Sequence, residues 1–449
     1  MRTTRTTRTT RTTRTSRTPR TRRLGAVAVP ALLALLVTGC ATSGTDSDEG
    51  DSEGGGPVKL RFQSLAFQEP TIQASQDIVD SWNADNPDVQ VEYVQGSWDS
   101  VQDQLVTQFQ GGTAPDIIHY ESAAMAGFAQ QGYLADLEGM MSDDVVSSVP
   151  EGVWEAVTVD DKLIAAPTLL QTYVVFANRG LLEEAGVEVP EGDTWAWDEF
   201  QAAAAATTKG DVYGVGWGLA EPTATMLSLG MNFDAAYFEG SGEDASITVG
   251  DAEMALPERI HAMAYDDKSL DPVSITQSGS DVMTGFLKGK YAMTVQGSYQ
   301  AQALTENAPK DLDWVAMPLL EGDTAAQAAN PQTLSVAAES KDVEAAAEFV
   351  DYFMQSENLA KVAEGDWLIP SSSDAAEVVE TDTEGENGWS TILAGGEYLT
   401  KAPFQSVTAY PQWKDQIATP AYQRYLADEI DEAELAAELT EGWDSVSGG

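Results

Sequence analysis

The chain has 449 residues, with 72 Asp or Glu against 24 Lys or Arg, and its formal net charge is −48 at pH 7. A surface this acidic repels nucleic-acid phosphates and anionic lipid headgroups, which argues against binding either of them through charge. The length exceeds what one hydrophobic core usually supports, and 43% of the residues are hydrophobic. We therefore expect two folded domains.

Residues 1–39 have the layout of a secretory signal peptide. Nine arginines and no acid precede an apolar run at 24–37, which is shorter than the roughly 20 residues of a membrane-spanning helix. Residues 40–56 are rich in Gly, Ser and acid, which predicts a flexible linker. Removing the signal peptide leaves 15 cations against 72 acids, a formal charge of −57.

Cys40 is the only cysteine in the sequence, so it has no disulfide partner within the chain. The residues Val37, Thr38, Gly39 and Cys40 resemble the lipobox of bacterial lipoproteins. That resemblance implies that Cys40 becomes a lipidated N-terminus and anchors an exported protein to the outer face of the cytoplasmic membrane. A plain signal-peptidase site beside a chance cysteine is the alternative, and both Sec and twin-arginine export remain open.

The first part of the exported chain alternates between strand and helix patterns. Alternating apolar residues predict strands near 58–62 and 89–93, and a short apolar run predicts a third strand at 115–120. Apolar residues near 72–82 and 101–109 have helical spacing. This order predicts a mostly parallel, doubly wound α/β sheet.

Ligands of such sheets bind outside the carboxyl ends of the strands. The residues after the predicted strands combine aromatic rings, amides and carboxylates, which suit a neutral polyol better than a phosphate or a metal. Ordinary core packing is the alternative for each aromatic residue. These residues are Phe67, Gln68, Trp98, Asp99, Tyr120 and Glu121.

Six segments, in order, resemble successive segments of the family 1 extracellular solute-binding proteins, the sugar-binding lipoproteins of ABC importers. "FLKGKYAMTVQGSYQ" and "EGDWLIP" are among the motifs that carry the resemblance. The segments are residues 81–98, 105–137, 163–187, 194–208, 286–300 and 345–370.

The resemblance implies a two-lobed fold of the type II periplasmic-binding-protein kind. Each lobe is then a doubly wound mixed sheet flanked by helices, and the ligand cleft lies between the lobes. The implied first lobe is 57–167 plus 297–340, and the second is 168–296 plus 341–449. The chain would cross between them near Pro167, Gly297 and Ser340.

The resemblance also implies a set of ligand contacts from both lobes. The run "VVFAN" departs from the family pattern at Phe176 and Ala177, beside the implied contact Tyr173. The implied contacts are Gln68, Trp98, Tyr120 and Glu121 in the first lobe, Tyr173, Trp217, Glu221 and Trp367 in the second, and Tyr299 and Asn330 near the crossings.

The function implied is capture of a mono- or oligosaccharide by a monomer and its delivery to the permease subunits of an ABC importer and their ATPase. Two alternatives stay open: a binding protein for a non-sugar osmolyte, and a glycoside-acting enzyme that uses Glu121 and Glu221 as its carboxylate pair. The sequence has no GxSxG, HExxH, P-loop or Rossmann glycine motif, and we expect neither a cofactor nor a metal. His119 and His261 are expected to be structural.

Overall fold

A computed structural model describes residues 57–447. The predicted signal peptide at 1–39, the lipidation site Cys40 and the linker at 40–56 lie outside the described residues. Within 57–447, none of the helices is both long enough and apolar enough to cross a bilayer.

The first sheet contains the three strands that the sequence predicts. They run parallel to one another. The strand Gln332–Val336 pairs antiparallel with the third of them, and Ala166–Pro167 pairs antiparallel with Gln332–Val336, so it runs in the same direction as the first three. Parallel neighbours need crossover connections, and the predicted helices supply them. In spatial order the strands are Val89–Gln95, Val58–Ser64, Ile117–Glu121, Gln332–Val336 and Ala166–Pro167.

Helices cover both faces of this sheet because its strands are apolar on both sides. Ile117 packs in the same cluster as Trp82 of the first helix, whereas the next residue, Ile118, packs with Leu105 of the second helix. The helices associated with this lobe are Glu69–Asp85, Val101–Gln110, Ser122–Gln130, Asp143–Ser148, Glu151–Glu155, Val343–Phe353, Ser356–Asp366, Ser373–Thr383 and Trp389–Ala394.

The second sheet is smaller and mixed. Tyr213–Gly216 and Tyr291–Gly297 are parallel to each other, and Tyr173–Asn178 is antiparallel to both of its neighbours. In spatial order the strands are Tyr213–Gly216, Tyr291–Gly297, Tyr173–Asn178 and Trp314–Ala316. The helices of this part are Arg179–Ala185, Trp197–Thr207, Thr223–Leu229, Asp251–Tyr265, Gly279–Leu287, Ala301–Asn307, Tyr410–Trp413, Thr419–Leu426 and Glu432–Val446.

Short strand pairs lie outside the two main sheets. Leu169–Leu170 pairs with Ile369–Pro370 beside the first crossing, and Gln327–Ala328 pairs with Leu399–Thr400 beside the later ones. The other pairs are Thr158–Val159 with Lys162–Leu163, Thr194–Ala196 with Leu319–Glu321, and Phe238–Glu239 with Ser246–Ile247.

The later lobe boundaries differ from the prediction. Residues 297–340 were assigned to the first lobe, but Trp314–Ala316 pairs with Tyr173–Asn178 in the second sheet. Residues 341–449 were assigned to the second lobe, but the helices that begin at Val343 and Ser356 pack against the first helix. Strand pairing thus places the chain's return near 329–331 and its last crossing near 395–402, rather than near Gly297 and Ser340.

The two mixed sheets with their helices confirm the predicted two-lobed α/β fold. The carboxyl ends of the parallel strands in the first lobe face loops of the second lobe. The space between them is the cleft described below.

Candidate functional site

A cleft of about 1020 Å³ separates the two lobes. Its first wall consists of residues that directly follow the three parallel strands, as expected for an α/β sheet. Its second wall comes from strand ends and loops around the second sheet. The aromatic and acidic lining residues are Phe67, Trp98, Asp99 and Glu121 on the first wall, Tyr173, Trp217, Glu221, Tyr299, Phe404 and Tyr410 on the second, and Asp366 beside the first helix.

The first wall presents aromatic rings to the open cleft. The Phe67 side chain is 58% exposed, and its ring meets the Tyr299 ring of the other wall edge-on at 6.1 Å between centroids. The Trp98 ring lies 5.8 Å from the buried rings of both His119 and Tyr120, which support it from behind.

The second wall is continuous with the hydrophobic core. Trp217 is 1% exposed and stacks on Trp197 at 6.3 Å between ring centroids. The loop after Trp217 lies directly against the start of the helix Gly279–Leu287, since a Cβ on Gly218 would come within 2.6 Å of the Gly279 nitrogen. Only glycine allows this close approach.

A hydrogen-bond network joins the lobes at the floor of the cleft. The amide of Asn330, at the second crossing, donates from Nδ2 to Glu121 Oε2 at 2.9 Å and accepts from Ser122 Oγ at 3.0 Å. Lys414 from the second lobe places its Nζ 3.9 Å from Glu121 Oε1. Gln405 donates to the Ala329 carbonyl at the same crossing.

The electrostatics of the floor follow from this arrangement. The Glu121 carboxylate holds the pKa of Lys414 well above its usual range. Burial raises the pKa values of Tyr410, Tyr120 and Tyr173, so these hydroxyls keep their protons and can donate hydrogen bonds at any physiological pH.

Seven of the ten predicted contact residues line the cleft. Their location agrees with the expectation, while their contact with a ligand stays a prediction. The seven are Trp98, Glu121, Tyr173, Trp217, Glu221, Tyr299 and Asn330.

The structure does not place the other three predicted residues in the cleft lining. Gln68 is 6% exposed and donates from Nε2 to the Asp366 carbonyl, and Tyr120 is buried in the core behind Trp98. Trp367 stacks on Trp389 at 4.9 Å between ring centroids. All three pack behind the wall or in the core. Their neighbours in the sequence line the cleft instead: Phe67 precedes Gln68, Glu121 follows Tyr120, and Asp366 and Leu368 flank Trp367.

Sequence reasoning missed several lining residues. Gln171 and Gln296 stand close to the predicted contacts Tyr173 and Tyr299 in segments already recognised, so their position could have identified them. Phe404, Tyr410 and Lys414 belong to a C-terminal segment that carries no strand pattern, and only the tertiary fold brings it to the cleft.

Two α/β lobes, joined by crossing segments around a cleft with aromatic and amide walls, define a two-lobed binding protein of the type II periplasmic kind. Among the described residues, no group of three or more His, Cys, Asp or Glu side chains is arranged to hold a metal ion.

The sequence profile described as "Bacterial extracellular solute-binding protein" matches residues 64–360, and the chain belongs to this family. It is 39% identical over 419 residues to the "Uncharacterized lipoprotein in oleD 5'region" of Streptomyces antibioticus, covering 92% of this chain and 89% of that protein.

Solved structures share the fold at low identity. The GacH receptor of Streptomyces glaucescens superposes with a TM-score of 0.73 at 21% identity, covering 87% of this chain and 99% of the receptor. The ABC substrate-binding protein Lmo0181 of Listeria monocytogenes has a TM-score of 0.74 at 19% identity, with the same two coverages.

Proposed function

We propose that this protein binds an oligosaccharide between its two lobes and delivers it to an ABC importer at the cell surface. The observation that carries the proposal is the cleft itself. Its volume of about 1020 Å³ lies at the upper end of the roughly 300–1,000 Å³ of small-molecule sites, which favours a ligand longer than a single sugar ring.

The chemistry of the walls suits a neutral polyol. Exposed rings such as Phe67 can stack on the C–H faces of sugar rings, and the amides of Gln171 and Asn330 can both donate to and accept from hydroxyls. A phosphate or other anion would meet the carboxylates of Asp99 and Glu221 at close range, so an anionic ligand is disfavoured.

The structural relatives support the same ligand class. The GacH receptor structures include complexes with acarbose and an acarbose homolog, and Lmo0181 is described in complex with cycloalternan. The "Maltodextrin-binding protein MdxE" of Bacillus subtilis is 22% identical over 379 residues. Those ligands belong to the relatives, and we extend only their general class to this protein.

Ligand capture couples to closure of the lobes. A sugar that touches both walls binds the closed form better than the open form, and it shifts the equilibrium by that difference in affinity. The closed form then docks on the permease subunits. A monomer is sufficient for this cycle, because both walls of the cleft belong to one chain.

Thermal denaturation of the purified mature protein tests the ligand class. We expect malto-oligosaccharides, from the disaccharide to the heptasaccharide, to raise the melting temperature, because a ligand at 100 times its Kd adds about 2.7 kcal/mol to the free energy of unfolding. A panel of neutral oligosaccharides and osmolytes that leaves the melting temperature unchanged would overturn the sugar assignment.

The same samples distinguish binding from hydrolysis. We expect each sugar to be recovered intact, since Glu121 Oε2 already accepts a hydrogen bond from Asn330 and Oε1 faces Lys414. New reducing ends that disappear in Glu121→Gln would instead support a glycoside-acting enzyme.

We further propose that the exported chain is anchored through a lipid on Cys40. Seventeen residues, 40–56, then tether the lobes with a root-mean-square reach of about 21–25 Å. One "lipoprotein" relative at 39% identity supports the anchor. Mass spectrometry of the mature N-terminus should find a lipid-modified Cys40, whereas an unmodified Cys40 or cleavage elsewhere would contradict the anchor alone.

A further inference from the structure

The floor of the cleft contains a cation that the sequence analysis did not predict as a contact. Lys414 begins a π-helical turn, Lys414–Ala418, directly after the helix Tyr410–Trp413. Such turns are rare and occur frequently at functional sites. Trp413 is fully buried in the second lobe, whereas Lys414, the next residue, reaches the cleft. The turn therefore presents one cation to the ligand space.

The hydrogen-bonding capacity of Lys414 is unused by the protein. An ammonium group carries three N–H donors, and among the described residues none of them is hydrogen-bonded. The nearest carboxylate oxygen, Glu121 Oε1, lies at 3.9 Å, beyond the 2.7–3.2 Å range of an N–H···O bond. The Lys414 side chain is only 28% exposed, and although the Glu121 carboxylate stabilises its charge, N–H donors so enclosed are costly to leave without acceptors. Those acceptors must come from molecules in the cleft.

Glu121 provides the complementary group beside this cation. Its Oε2 accepts from Asn330 Nδ2, which fixes the orientation of the carboxylate, while Oε1 has no hydrogen-bond donor among the described residues. Glu121 ends a strand of the first sheet, and Lys414 directly follows Trp413, which is buried in the core of the second lobe. A donor from one lobe and an acceptor from the other thus lie side by side.

We propose that Lys414 is a specificity-determining residue that binds, together with Glu121, two adjacent hydroxyls of the saccharide. Lys414 donates to the oxygen of one hydroxyl, and Glu121 accepts the proton of its neighbour. This inference rests on the proposed function, and it names the part of the sugar that the floor recognises: a vicinal diol. An acidic sugar placed here would satisfy Lys414 but meet the charge of Glu121, so the pair favours a neutral ring.

The contact also links the lobes through the ligand. The direct distance between Lys414 and Glu121 is too long for a hydrogen bond, whereas a bound diol would bridge both groups. Loss of either side chain should therefore weaken binding by loosening the closed form as well as by removing one contact.

Isothermal titration of malto-oligosaccharides into the mature protein tests this assignment. We expect Lys414→Gln and Glu121→Gln each to weaken binding by about 10- to 100-fold, the usual effect of losing a hydrogen bond to a charged group. Lys310→Gln, the same charge change at an exposed position outside the cleft lining, should bind like the wild type. Lys414→Arg keeps the charge and should recover part of the affinity.

Monodeoxy derivatives of the tightest-binding malto-oligosaccharide separate a direct contact from a structural role. Two derivatives that lack adjacent hydroxyls should bind the wild type weakly, and one of them should lose no further affinity in Lys414→Gln. A purely structural lysine would reduce the affinity for every derivative by the same factor, which would overturn the proposal.

Equal binding by wild type and Lys414→Gln would overturn the role of Lys414 and leave the proposed function standing. Failure of every oligosaccharide to bind the wild type would overturn the proposed function, and this inference with it.

Discussion

Phe67 on the first wall of the cleft is 58% exposed, whereas Trp217 on the second wall is 1% exposed. The first wall consists of residues that project beyond the ends of parallel strands, and their rings are available to a ligand before any closure. The second wall is the surface of a core in which Trp217 stacks on Trp197. Phe67 can therefore change with little effect on the fold, while Trp217 cannot.

The titratable groups differ between the lobes as well. Behind the first wall, burial lowers the pKa of His119 to about 4 and raises that of Asp366 to about 6. In the second lobe the hydrogen bond to Asp271 raises the pKa of Lys290 to about 12, outside the physiological range. We expect the dependence of stability on mildly acidic pH to arise mainly in the first lobe.

The largest expected effect is that of Trp217→Ala. Removing this buried ring leaves a cavity against Trp197 and should lower the free energy of unfolding by about 3–5 kcal/mol, in addition to weakening sugar binding. Urea denaturation measures the change, and Trp217→Phe should lose less because it keeps most of the contacts. A loss below about 1 kcal/mol would show that the second wall is not part of the core.

Asp366→Asn should stabilise the protein above pH 6. Burial raises the Asp366 pKa from 3.8 to about 6, so the folded state prefers the protonated acid; that stabilisation is complete below pH 3.8 and is lost as the pH rises through 6. The neutral amide can still accept from Thr71 Oγ1 and avoids the buried charge. Urea denaturation should show a gain on the order of 2–3 kcal/mol at pH 8 and almost none at pH 4. An equal gain at both pH values would contradict this origin.

His119 should make the free energy of unfolding depend on pH in the opposite direction to Asp366. Its Nδ1 accepts from the Leu65 N–H at 3.0 Å and its Nε2 lies 2.7 Å from Gln332 Oε1, so the folded protein holds the neutral ring. The resulting stability is present above pH 6.5 and is lost as the pH falls toward 4.

His119→Asn keeps an acceptor for Leu65 but does not titrate. Between pH 7 and pH 4.5 the wild type should lose about 2–3 kcal/mol that the variant does not lose. Parallel pH profiles of the two proteins, measured by urea denaturation, would show that His119 has no part in the acid sensitivity.

The smallest expected effect is that of Phe67→Ala. Truncating an exposed ring should leave the free energy of unfolding within about 0.5 kcal/mol of the wild type and weaken sugar binding about 10-fold, because stacking area is lost. Val273→Ala, at a residue 59% exposed and outside the cleft lining, is the matched control and should change neither quantity. If Phe67→Ala destabilised the fold as much as Trp217→Ala, the contrast between the walls would disappear.

The same contrast explains what could be predicted from the sequence. The three parallel strands and the residues that follow them, such as Trp98 and Glu121, are encoded by local patterns and by the general rule for α/β sheets. The resemblance to a family added Trp217 and Tyr299, which no local pattern identifies.

Other parts depend on contacts between distant segments. The strand Trp314–Ala316 joins the second sheet through pairing with Tyr173–Asn178, whereas the lobe boundaries implied by the family resemblance assigned it to the first lobe. Lys414 reaches the cleft because the C-terminal segment packs beside the second crossing. No sequence motif predicts this position. Gln68, predicted as a contact, instead donates to the Asp366 backbone, because Phe67 takes the exposed position.

The crystal structure of the mature protein with a bound malto-oligosaccharide is the most direct test of the central claim. We predict a closed form with the sugar between Phe67 and Trp98 on one side and Trp217 and Tyr299 on the other, and with two adjacent hydroxyls at Glu121 and Lys414. A sugar bound outside the cleft, or held by one lobe while the other stays apart, would contradict it.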